Sequence, residues 1–116
     1  MKTSIANLGR VSALVLLASC SDAAAPQAAA TITLSGTAFS PATVNVKVGQ
    51  TVRWVGAGGR HDVSSGSACV ADGKFHSGDA KTEGTFDFTF TAEGEYPFFC
   101  APHCGMGMVG KVSVTK

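Results

Sequence analysis

The chain has 116 residues, of which 45% are hydrophobic and 15% charged, enough for one small domain and not for two. Nine basic and eight acidic residues leave a formal charge of +1. That balance supplies neither a basic face for nucleic acid nor a run of like charge for a polyelectrolyte.

Residues 1–19 do not read as domain sequence. Lys2 and Arg10 stand without an acid, and the apolar run "VSALVLLAS" is too short to span a membrane as a mature helix. A basic start followed by a short apolar stretch is an export signal. Its end, "LASC", resembles the bacterial lipobox, which implies cleavage before Cys20 and acylation of that residue. An ordinary secretory signal and a retained anchor are the alternatives. The expected location is therefore extracytoplasmic, in the periplasm and on a membrane through the lipid, with Ser21 in the position that favours the outer membrane. Losing Lys2 and Arg10 turns the formal charge to −1. Residues 20–30, the lipidated cysteine and "SDAAAPQAAA", are read as a flexible tether, and 31–116 as the domain.

From Thr31 the apolar pattern has period two. "TITL" sets Ile32 and Leu34 on one face, and "TVNVKV" sets Val44, Val46 and Val48 inward. "TFDFTF" alternates Phe86, Phe88 and Phe90 with polar residues, and "KVSVT" contributes Val112 and Val114. Turn residues separate these runs at "SP", "GQ", "GAGG" and "EGE". The reading is an antiparallel all-β sandwich without internal repeats and without a helical stripe.

Thiols oxidise outside the cytoplasm, so each cysteine needs a reason to be there. With Cys20 lipidated, Cys69, Cys100 and Cys104 remain. An odd set means a free thiol, an intermolecular bridge or a thiolate held by a metal. The segment "CAPHCGMGM" brings Cys100 and His103 together on one tight loop, and Met108 can close that loop on the same point. A second imidazole must come from His61 or His76. Two imidazoles, a thiolate and a weak thioether form the donor set of a blue-copper site.

The chain resembles the cupredoxins, small blue copper proteins, over nearly all of residues 31–116. The resemblance rests on "FSPATVNVKVGQTVRW", "GGRHDV" and "YPFFCAPHCGMGMVGKVSV". It implies a Greek-key sandwich holding one copper ion through His61, Cys100, His103 and Met108. Met106 would fit the shorter loop of amicyanins, whereas plastocyanins and pseudoazurins place the ligand directly before the last strand, at Met108 here. Phytocyanins also carry a cysteine after the ligand histidine, which implies a Cys69–Cys104 disulfide. Many relatives have Asn after the first histidine. Here Asp62 stands there, able to accept from a backbone N–H but adding charge. His76, in "KFHSGD" where relatives often carry Asp, is read as a surface residue.

What the resemblance implies for function is a monomeric shuttle for single electrons, not an enzyme. Its partners would be redox proteins such as cytochrome c, an oxidase or a reductase. They would dock briefly on an uncharged rim of Ala101, Pro102, Gly105 and Met106 around His103. The alternative is a periplasmic copper chaperone or store; a multicopper oxidase would need further copper sites. A metal-free structural or adhesive sandwich is the remaining reading.

Overall fold

The computed structural model describes residues 27–116, all but the last few residues of the signal and tether lying outside them. The export segment and Cys20 are among those outside. Among the described residues nine strands follow in order: β1 Ala30–Ser35, β2 Ala38–Ser40, β3 Thr43–Lys47, β4 Thr51–His61 and β5 Ser64–Ser67, then β6 Val70–His76, β7 Lys81–Thr89, β8 Gly94–Phe99 and β9 Val109–Thr115. The first strand starts one residue before the expected boundary, and Ala29 already donates its N–H to the Thr51 carbonyl at 2.8 Å.

The strands form two sheets, β2-β1-β4-β7 and β3-β9-β8-β5-β6, facing each other as a sandwich. The sheets are mixed and not wholly antiparallel: β1 runs parallel to β4, and β3 parallel to β9. The reason is connectivity. The chain leaves the first sheet after β2, lays β3 on the second, and returns for β4, so these neighbours are joined by crossovers and not by hairpins.

Alternation fills the space between the sheets. Ile32 and Leu34, Val44 and Val46, Val52 and Trp54, Phe98, and Val112 and Val114 are all buried. Trp54 sits at the centre, 5.4 Å from the Phe98 ring in an edge-on contact and within 5.7 Å of Phe75 and Phe86. Such aromatic pairs add about 0.5–1.5 kcal/mol each beyond their area. Two expected core positions differ. Val48 is 41% exposed, because β3 ends at Lys47 and the chain turns at Gly49. Phe86 and Phe88 are half-buried because β7 is an edge strand, and only Phe90 is fully covered.

Helix appears once among the described residues, as a 3-10 turn at Ala101–Met106 with Pro102 in its first turn. Pro fits there because the N–H it lacks would have no partner in any case. No apolar stripe announces so short a helix. It connects β8 to β9 and fixes the loop that carries most of the candidate ligands.

Candidate metal centre

His61 closes β4 at an irregularity. Opposite β7, the register runs Ala57↔Glu83 and then His61↔Lys81, leaving extra residues on β4 that bulge and re-aim the strand end. Gly58 and Gly59 occupy the bulge at φ 111° and 82°, backbone that side chains rarely adopt. The bulge brings the Gly58 carbonyl 2.7 Å from His61 Nε2. A carbonyl only accepts, so Nε2 carries the proton and donates, leaving Nδ1 with a free lone pair. A Cβ on Gly59 would stand 2.8 Å from Nε2. Gly59→Ala is therefore expected to push the ring off the carbonyl and weaken copper binding by about tenfold or more, read by competition against a chelator.

The second sheet supplies the rest. Cys100 directly follows β8 and is fully buried; His103 lies in the 3-10 turn and is half-buried; Met108 precedes β9 and is fully buried. The loop is knotted by its own backbone. Cys100 N–H donates to the Met108 carbonyl at 3.0 Å, His103 N–H to the Cys100 carbonyl at 3.1 Å, and Met108 N–H to the His103 carbonyl at 3.3 Å. Cys100 Sγ lies 3.7 Å from His61 Nδ1 and 3.5 Å from His103 Nδ1. The three donor atoms all fall within 4.8 Å of one another, and no other group of His, Cys, Asp or Glu does so among the described residues.

Asp62 ties the two sides together. It is buried, and its Oδ1 accepts the Ala101 N–H at 2.6 Å, beside Cys100. The carboxylate thus does hold the cysteine loop through a backbone N–H. Its Oδ2 receives the Ser64 hydroxyl at 3.1 Å and His76 Nε2 at 3.3 Å. His76 is a surface residue, as expected, but it is not idle there. No spacing in the sequence could show this pairing, which depends on β6 folding back beside β5.

Cys69 and Cys104 are joined as a disulfide, and Cys100 is the free thiol among the described cysteines. Of the rim residues, Ala101, Pro102 and Gly105 are exposed, and Met106 is 67% exposed. Exposed Val70 and Val109 add apolar surface elsewhere.

Burial pushes the Cys100 thiol above its ordinary range, the Asp62 charge pushes the same way, and hydrogen bonds to the backbone of Asp62 and His103 offset part of this. A thiol so placed between two imidazole nitrogens suits a cation that would displace its proton and take all three donors. Thiolate and imidazole together select a soft or borderline metal, copper above the hard oxygen-seeking ions. The residues fit copper.

A buried thiol flanked by two imidazoles, on the end of a β-sandwich, defines a type 1 copper protein, a cupredoxin. The chain belongs to the family of copper binding proteins of the plastocyanin/azurin type, whose profile matches residues 27–115. It is 43% identical over 83 residues to a halocyanin of Natronomonas pharaonis, covering 69% of this chain and 50% of that protein. It is 40% identical over 83 residues to a chloroplastic plastocyanin of Tetradesmus obliquus, covering 66% of this chain and 57% of that one. The chain thus spans about half the length of these curated relatives. Among solved structures, a purple cupredoxin from Nitrosopumilus maritimus superposes with a TM-score of 0.63 at 27% identity, over 74% of this chain and 99% of that one.

Proposed function

We propose that the protein carries single electrons between redox proteins, accepting one from a donor and passing it to an acceptor. Copper held by His61, Cys100, His103 and Met108 supplies the Cu(II)/Cu(I) couple. The observation that carries this reading is the buried Cys100 sulfur set between two imidazole nitrogens contributed by opposite sheets.

Each residue has a part. Cys100 offers a thiolate where burial excludes water. His61, held by the Gly58 carbonyl, keeps one nitrogen aimed inward in either oxidation state. Met108 is the thioether of the set: it is fully buried, whereas Met106 faces solvent. His103 is the one candidate ligand that is not fully covered, so electrons pass at its edge. The surrounding rim of Ala101, Pro102, Gly105 and Met106 bears no charge and suits the small interfaces of transient redox encounters. Cytochrome c, an oxidase or a reductase are the partners of this chemistry. Cys20 would carry a lipid that holds the monomeric domain on the extracytoplasmic face of a membrane.

Adding Cu(II) to the domain should give an intense visible band that ascorbate bleaches and an oxidant restores. A colourless complex that takes up only Cu(I) would point to copper delivery or storage and sink the carrier reading. A charge at Met106, as in Met106→Lys or Met106→Glu, should slow electron exchange with cytochrome c several-fold at high ionic strength, where steering is screened, while leaving the visible band in place. Unchanged exchange rates in stopped flow would move the docking site elsewhere.

A further inference from the structure

His76 has the geometry of a control point on this centre. Three contacts seat it. On β5, Ser64 lies opposite it in register; its neighbour Ser77 donates its N–H to the Val63 carbonyl at 2.9 Å and accepts the Val63 N–H on its hydroxyl at 2.8 Å. These clamp the end of β6 against the segment Asp62–Ser64. The His76 side chain is 56% exposed, while that of Asp62 is 6% exposed, and Nε2 of the one reaches Oδ2 of the other at 3.3 Å. The other oxygen of the same carboxylate accepts the Ala101 N–H, one residue from Cys100. One side chain in water is therefore joined, through a single buried carboxylate, to the loop that carries the thiolate.

We propose that His76 is a positioning residue of the copper centre, acting through Asp62, and that proton binding at its imidazole is linked to the oxidation state of the metal. The inference rests on the copper reading above. Nε2 donates to Asp62 whether the ring is neutral or cationic, so the contact survives titration while the charge beside the carboxylate changes. An imidazolium offsets the Asp62 charge, which favours the less positive, reduced metal. The reduction potential should therefore rise as pH falls through the His76 titration. By linkage, reduction must tighten the proton on His76 by the same factor. The expected factor is several-fold, as for unit charges separated by a carboxylate and a peptide group near a protein surface.

Other charges are placed differently. On β6 itself stand Asp72 and Lys74, and Asp72 is already held below its usual range chiefly by the Ser65 hydroxyl and also by the Lys74 N–H. Asp79, Lys81 and Glu83, from the following loop and β7, line with Asp62 and Ser77 a cleft of about 130 Å³. Arg60 precedes His61 at the end of β4, and β5 presents only serines and a glycine. The 3-10 turn carries no charged group apart from His103. Among the described residues Asp62 is the one acid within ion-pair distance of His76.

The test is redox titration of the copper protein from pH 5 to 8, with imidazole NMR of the reduced, diamagnetic form. Wild type, His76→Gln and His76→Lys are compared. The expected result is a pH-dependent potential in wild type, with the His76 share of the slope absent from His76→Gln. His76→Lys should hold the potential near the wild-type low-pH level throughout. The NMR titration of His76 should move when redox-inert Cd(II) or Zn(II) at the same site replaces Cu(I), because the bound charge differs. A slope identical in wild type and His76→Gln, with the coloured couple intact, overturns the role of His76 alone. Absence of any reversible coloured couple in wild type overturns the copper reading and this inference with it.

Discussion

Cys100→Ser should abolish the intense visible band on addition of Cu(II), not merely weaken it. The band requires a thiolate bonded to the cupric ion, and among the described residues Cys100 is the one free cysteine. Cys69 and Cys104 are locked to each other, so among the described residues no second cysteine can step in as a thiolate. The serine oxygen is a harder donor than sulfur and suits Cu(I) poorly, so reversible cycling should fail with the colour. The fold should survive. The new hydroxyl stands in place of the sulfur that lies 3.7 and 3.5 Å from two imidazole nitrogens, so it has acceptors at hand and is not left bare. The cost to the metal-free protein should be about 1 kcal/mol, within the range for a buried hydroxyl with partners. Visible spectra recorded during a cupric titration, beside melting curves without metal, decide the matter. Retention of the band in the variant would mean that Cys100 is not the ligand.

That experiment concerns residues whose types and spacing could be read from the sequence, and the reason is local. Cys100, His103 and Met108 share one loop, so the meeting of Cys100 with His103 needs only a tight turn. The two methionines were separable by resemblance, and burial now divides them: Met108 is fully enclosed and Met106 is 67% exposed. His61 is assigned through the resemblance at "GGRHDV" and not by spacing, because its aim depends on a bulge against β7. Alternation likewise marked the inward faces of β1, β3 and β9, since a side-chain period of two is a property of the strand itself. The parallel pairings were not legible, because period says nothing about which sheet a strand joins. Val48 and the edge phenylalanines failed for a related reason: a strand's end and its place in the sheet decide how much cover a residue receives. The Asp62–His76 contact lay furthest from view. It joins residues through the folding back of β6, and no pattern in either segment encodes that meeting.

The disulfide should show the largest effect on stability. Replacing both partners, as Cys69→Ser with Cys104→Ser, opens a covalent loop with a sequence separation of 35 residues. In the chain-entropy model that closure is worth roughly 3–4 kcal/mol through its restriction of the unfolded chain. Only strain that the bridge itself imposes on the folded state would subtract from this figure. Ala68 and Cys69 sit side by side at φ 53° and 62°, in the left-handed region that a non-glycine residue enters at a cost of about 1–2 kcal/mol. Ser67 and Val70 pair across these two residues, so the two-residue hairpin itself demands that backbone with or without the bridge, and a net loss of about 3–4 kcal/mol is expected. For a domain of this size each kcal/mol moves Tm by roughly 4–8 °C, so the melting point should fall by about 12–32 °C. The copper band should persist, since none of the proposed donors, His61, Cys100, His103 and Met108, is touched. Because Cys104 follows His103 directly, loosening it should affect copper retention on warming more than copper affinity at 25 °C. A drop of only a few degrees would show that the sandwich core, and not the bridge, secures the ligand loop. A lost band at low temperature would show instead that the bridge is needed to place His103 at all.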